Sequence, residues 1–223
     1  TTLAKLAKGS AADLLTMNSG ATAPEWAAPG GGGGAWTKTA DVDVGSSAVA
    51  SVSITGAFSS SYNSYRMIVS GMEITNDNQR FNYRWLIGST EESDSRYKGD
   101  YATHAYSHSN HAHETSGNDN YTDVGTLDGV FWLMSGPGYK FGGPGHHFDG
   151  VFTINNPSDA NSSVSMEGQS LLNGDDSGGI GECVKLTYSH VLYQKRCAIT
   201  GIKIYATVDD IQNGNITIYG TNV

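Results

Sequence analysis

Charge, cysteine and long apolar runs are all scarce in this chain, and each scarcity excludes something. Only 16% of the residues are charged, and the 13 basic ones are scattered singly apart from Lys195-Arg196, against 22 acidic ones and a formal charge of −9. Neutralising a phosphate backbone takes a clustered basic face, so nucleic acid is not an expected partner. The two cysteines, Cys183 and Cys197, sit in no metal-like pair and beside no obvious activating base. Partly buried thiols are the simple expectation, and a bridge between adjacent strands is the alternative, because spacing alone does not set disulfide geometry. No apolar run approaches the roughly 20 residues that span a bilayer, and the start of the chain lacks the basic-then-apolar pattern of a signal peptide. The expectation is a soluble chain with no membrane insertion and no secretion signal.

What is abundant points to strands and turns. Gly, Ser, Thr and Asn fill 88 of the 223 positions, too many for a typical helical or α/β enzyme, while 38% apolar residues suffice for a well-packed core. Composition divides the chain into residues 1-28, a glycine-rich linker at 29-35 and a long remainder at 36-223. Upstream, Leu3, Leu6, Ala7 and Leu14 fall close to helical spacing, although Gly9-Ser10 interrupts the pattern. A helix that short is marginal alone, so an ordered segment there must dock on another copy or a larger body. The run Gly30 to Gly34 reads as a flexible tether.

Beyond the tether the period becomes two. Segments Ala48 to Ile54, Tyr65 to Ser70, Phe81 to Ile87, Val130 to Met134, Gly150 to Ile154, Ser163 to Met166, Val184 to Tyr188, Ala198 to Ala206 and Asn215 to Tyr219 all read as strands. The clusters Asn76-Asp77-Asn78, Asn155-Asn156-Pro157 and Asn173-Gly174-Asp175-Asp176 read as turns. With no convincing helix between them, these strands predict a mainly β fold, an antiparallel β-sandwich of jelly-roll type. Glu91 to Leu127 and Ser135 to His147 read as long loops, the places to seek a binding surface. Trp36, Trp85 and Trp132 lie in strand-like runs and are expected in the core.

The order Gly9, Leu14-Leu15, a polar turn with Gly20, then Pro24 and Trp26 resembles a segment that recurs in bacteriophage tail fibres and related virion appendages. The remainder resembles the β-sandwich tip domain that often follows it, through Tyr62 to Val69, Phe81 to Arg84, Phe152 to Pro157, Ile199 to Tyr205 and Asn213 to Gly220. The resemblance implies a non-enzymatic virion protein on the particle surface: a homotrimeric tail or head fibre attached to tail or capsid proteins through residues 1-28. Leu3, Leu6, Leu14, Leu15 and Trp26 would form that attachment. The outward sandwich would serve host attachment by receptor binding, for example to a surface glycan. Capsid decoration with a purely structural role is the alternative.

Sites of chemistry were weighed against plainer readings. His111 and His113 would share one face of a strand as a possible Zn²⁺ or Ni²⁺ pair, but a solvated polar loop explains the His-rich run equally. The cluster Asn118-Asp119-Asn120 with Asp123 lacks the EF-hand order of ligands. The acidic pairs Glu91-Glu92, Asp175-Asp176 and Asp209-Asp210 read as solvated turn carboxylates, since neighbours on a strand point to opposite faces and cannot flank one sugar. No nucleophile elbow, zinc-protease helix or phosphate loop occurs, so neither catalysis nor a cofactor is expected. The aromatics Tyr97, Tyr101, Tyr106, Tyr121, Tyr139 and Phe141, among Asn and His neighbours, suit stacking on sugars. Capping the sandwich ends or packing between subunits is the plainer role for them.

Overall fold

The computed structural model describes residues 10, 13–17, 20, 22–27, 36–75, 81–92, 97–107, 113–114, 129–130, 139–140, 147–176, 182–206 and 209–222. The chain divides into two compact units, Thr1–Ala35 and Trp36–Val223. In the first, β1 (Leu14–Met17) pairs antiparallel with β2 (Pro24–Ala27), setting Leu15 opposite Trp26 and Thr16 opposite Glu25. Asp13 closes the turn before β1: its carboxylate accepts from the Ser10 amide at 2.7 Å and its own amide donates back to the Ser10 carbonyl at 3.2 Å. The helical spacing therefore does not extend to Leu14, which lies in a strand. Leu3, Leu6 and Ala7 lie outside the described residues. Thr16 and Trp26 favour extended backbone, and Pro24 opens an edge strand, where no donor is lost.

The second unit begins with β3 (Thr37–Asp43), β4 (Ser51–Ile54), β5 (Ser64–Ile74), β6 (Phe81–Ile87), β7 (Thr90–Glu91), β8 (Tyr97–Ser107), β9 (His113–Glu114) and β10 (Gly129–Val130). It continues with β11 (Tyr139–Lys140), β12 (His147–Asn155), β13 (Val164–Asp176), β14 (Glu182–Tyr193), β15 (Gly201–Ala206), β16 (Ile211–Gln212) and β17 (Asn215–Thr221). A wide sheet runs in the order β3-β17-β5-β12-β13-β14-β8-β9, with β11 beside β13 and β16 beside β5. A narrower one runs β10-β6-β15-β4, with β7 folded back on β6. Every pairing is antiparallel, and every regular element among the described residues is a strand. The fold is mainly β, with antiparallel sheets packed together.

Alternation puts one face of each sheet into a shared core. The wide sheet contributes Tyr65, Met67, Phe152, Ile154, Ile216 and Ile218, and the narrow sheet Val52, Ile54, Tyr83, Trp85, Ile202 and Ile204, all buried. Phe81 of β6 and Phe148 of β12 join the two sheets with ring centroids 5.3 Å apart. Phe58, in the connection from β4 to β5, lies edge-on to Tyr65 at 4.9 Å and to Trp85 at 6.1 Å, so one ring touches both sheets. The Tyr65 hydroxyl has its polar needs met by the Ser59 backbone, accepting from the amide at 2.7 Å and donating to the carbonyl at 2.8 Å. Two glycines are required by this packing. Gly71, at φ +60°, sits where β5 slips one position against β12, so burial passes from Val69 to Met72 and Ile74 without turning the apolar set outward. Gly168 lies opposite Phe152, and a Cβ there would stand 2.4 Å from the Val151 carbonyl and 2.5 Å from the Phe152 ring.

The segments read as strands that lie within the described residues meet one, with several boundaries different, and of Val130 to Met134 only Val130 is described. The first segment becomes β4 only at Ser51, with Val49 forming an isolated bridge to Ile211. Asn173 to Asp176 is not a turn but the end of β13, with Asn173 held by β12 on one side and β14 on the other. A ladder on both sides outweighs local turn propensity there. The supposed loop from Glu91 contains the eleven-residue β8, paired with β14 from Tyr97 opposite Tyr193 to Ser107 opposite Cys183. Neither alternation of β8 is apolar, since one reads Tyr, Gly, Tyr, Thr, Ala, Ser, and so the period-two signal is silent. Trp85 is in the core, whereas Trp36 is 43% exposed, a correction to its expected burial, and Trp132 lies outside the described residues. Cys197 is a half-buried thiol packed against the core.

Phe58→Ala removes the ring shared by both sheets and should lower unfolding stability by about 3–5 kcal/mol in urea melts. Ser60→Ala, at an exposed position in the same connection, should change it by about 0.5 kcal/mol or less. Equal effects of the two would show that Phe58 does not join the sheets.

Candidate functional site

The face of the narrow sheet turned away from the core carries a group of three ion-paired side chains. On β6 and β15, alternation sends Tyr83, Trp85, Ile202 and Ile204 inward, which leaves Arg84, Lys203 and Tyr205 on the other face. Arg84 stands directly opposite Lys203, and Tyr205 opposite Asn82. After Ile87 the chain reverses through Gly88, at φ +64°, whose amide donates to the Thr200 hydroxyl at 2.7 Å. This tight return lays β7 beside β6 with Glu91 opposite Leu86, and so delivers a carboxylate to the two cations.

Glu91 bridges them. One oxygen accepts from Arg84 Nη1 at 3.0 Å, and the other is bound by Lys203 Nζ. The Arg84 guanidinium carbon and the Lys203 ammonium lie 5.7 and 5.8 Å from the centroid of the Tyr205 ring, within cation–π range. Like charges directly opposite on a sheet repel, and here the Glu91 carboxylate binds both. The hydrogen bond from Lys203 holds the Glu91 carboxyl below its ordinary range; burial opposes this, and the attraction of Lys203 and Arg84 adds to it. A carboxylate kept ionised in this way is a poor proton acceptor, so the group is suited to binding rather than to acid–base chemistry.

Glu92, the next residue, faces elsewhere: its side chain is 7% exposed and pairs with Lys195 at 2.6 Å, while its amide donates to the Trp85 carbonyl at 2.8 Å. The expectation of solvated turn carboxylates at Glu91-Glu92 is therefore corrected, because both are ion-paired. That the two diverge agrees with strand alternation. Arg84, Lys203 and Tyr205 were legible as polar positions alternating with apolar ones. Their meeting was not, since Glu91 and Lys203 are separated by 112 positions.

The residues singled out earlier fall on several elements or outside the described residues. Tyr97, Tyr101 and Tyr106 belong to β8, opposite Tyr193, Ser189 and Val184. Tyr139, on β11, is opposite Asp176. Tyr121 and Phe141 lie outside the described residues. His113, on β9, is opposite Tyr106, and His111 lies outside the described residues. Among the described residues no group of three or more His, Cys, Asp or Glu could hold a metal ion. On the β1–β2 hairpin, Leu15, Met17 and Trp26 are 57%, 53% and 42% exposed.

Because its pKa is lowered on folding, Glu91 contributes stability that is present above its unfolded value of about 4.5 and is lost as pH falls through the folded one. Glu91→Gln should thus be less stable than the parent at pH 7, by about 1 kcal/mol or less given the solvent screening at this partly exposed site. The gap should close on acidification below that value, as read by denaturant melts at several pH values. A gap that persists in acid would show that the ion pairs are not its source. No protein-family model matches the chain, and no curated protein or solved structure matches it either.

Proposed function

We propose that this chain is a non-enzymatic structural protein of a bacteriophage particle, a short homotrimeric fibre whose β-sandwich contacts the host surface. The observation that carries the reading is the β1–β2 hairpin. It holds Leu15, Met17 and Trp26 in the open on a two-stranded element, inside the very segment that resembles a fibre attachment. Two strands alone are at best marginal in water, so such a hairpin gains most by covering its apolar side chains against copies of itself or a socket on the particle. Threefold self-association would also turn weak surface contacts into useful avidity. On the sandwich, the cation and tyrosine group of β6 and β15 supports a binding role, because it is partly open to solvent and fixed in place by the Glu91 ion pairs.

Particles assembled with a chain lacking residues 1-28 should not carry the protein. If electron microscopy still finds it on them, the attachment reading is wrong. Particles carrying the hairpin without the sandwich should adsorb poorly to host cells. Unchanged adsorption, with copies set on the capsid threefold axes, would instead establish a decoration protein with a structural role.

A further inference from the structure

A sheet face that only meets water is polar throughout, and the wide sheet departs from that on the side turned away from the core. Inward burial of Tyr65 and Met67 on β5, Phe152 and Ile154 on β12 and Met166 on β13 sends their neighbours to the outer face. There Arg66, Thr153 and Glu167 form one row across three adjacent strands, each directly opposite the next, and Ile68 opposite Val151 lies in the row beside it. Arg66 and Glu167 are exposed, whereas Ile68, Val151 and Thr153 are half-buried. Thr153 keeps the two charges two strands, or about 10 Å, apart. Neither makes an ion pair with another described residue. Placed directly opposite, they would have supported the sheet; on either side of β12 they do nothing for it.

We propose that this face joins copies of the chain, with Arg66 of one copy paired to Glu167 of the next around a threefold axis running beside β12. This rests on the homotrimer reading above and assigns the surface through which the sandwiches meet.

Charge selects the partner. At −9 the chain repels its own copies over most of its surface, so self-association needs a patch that carries both signs. Arg66 puts a positive spot on the β5 side of β12, and Glu167 a negative one on the β13 side. Such a face complements another copy of itself when opposite sides meet. Rotation by a third of a turn about an axis beside β12 does this: the β5 side of one face turns toward the β13 side of the next, and three identical contacts close the ring.

The same rotation brings Val151 and Thr153 of all three copies toward the axis, with Ile68 beside them. Half-buried β-branched side chains there lose their remaining contact with water, which is favourable. An apolar centre flanked by charge pairs is the ordinary layout of a specific interface. All of these side chains stand on paired strands, so the backbone that carries them is already ordered before the copies meet.

The test is sedimentation of the whole chain over a range of concentrations, with circular dichroism melts to confirm that each variant is folded. The parent should sediment as a trimer. Arg66→Glu and Glu167→Arg should each raise the concentration of half-dissociation by about tenfold or more, and the double variant should recover most of that loss, because it restores the pair with its signs exchanged. Asp210→Arg changes the net charge as much as Glu167→Arg does, at an exposed residue whose carbonyl accepts from the Thr75 amide past the end of β5, and it should not weaken association. A mixture of the two single variants should stay dissociated, since a ring of three cannot alternate two kinds of chain. Full recovery on mixing would place the pair on a twofold axis and overturn the threefold arrangement. Parental association in both single variants, or no recovery in the double variant, would overturn the proposal and leave standing a trimer held by residues 1-28. A parent that sediments as a monomer at every concentration would remove the trimeric reading itself.

Discussion

The contact of Phe81 with Phe148 and the wedging of Phe58 between Tyr65 and Trp85 hold together two sheets of unequal width. Each aromatic side chain contributes a large apolar area, and rings that meet edge-on or tilted add a directional preference that aliphatic side chains lack. Once those rings are placed, the inward faces of β5, β12, β6 and β15 are specified. With a side-chain period of two, specifying one face specifies the other. The outward placing of Arg84, Lys203 and Tyr205, all half-buried, thus follows from the inward placing of Tyr83, Trp85, Ile202 and Ile204.

This constraint also explains the small irregularities. An extra residue in β5 would send every following side chain to the wrong face unless the strand absorbed it, and Gly71 does so at a positive φ. Its amide then donates to the Asp149 carboxylate at 2.8 Å, so the departure from the ladder still satisfies the backbone. At Gly168 the same logic works through absence, because the space a side chain would take is filled by the ring of Phe152 from the neighbouring strand. Large and small positions are matched across strands, and neither can change alone.

How much of this was legible in the sequence differed from strand to strand. Where one alternation is apolar, as in Phe81 to Ile87 or Asn215 to Thr221, the strand can be read directly, and its buried set with it. β8 and β3 are polar on both alternations or nearly so, and β3 is an edge of its sheet, so pairing rather than patterning decides them. Asn173 to Asp176 misled for the converse reason: local turn chemistry was visible, but the two flanking ladders were not. The candidate site shows the limit most clearly. Each of its residues has an ordinary local environment, and only the pairing of β6 with β15 and the Gly88 hairpin bring Arg84, Lys203 and Glu91 together. Contacts across more than a hundred positions leave no periodic trace.

Side chains on a sheet face are held in a way that side chains on loops are not. Loop aromatics must be ordered on binding, at an entropic cost for each side chain, whereas Arg84, Lys203 and Tyr205 project from paired strands over a packed core. The outward side chains could also change without disturbing Trp85 or Ile202 beneath them, because the two sets are separated by the backbone of the sheet. Substitution at Lys203 or Tyr205 changes the outward face of the narrow sheet, while the aromatic contacts between the sheets keep the fold.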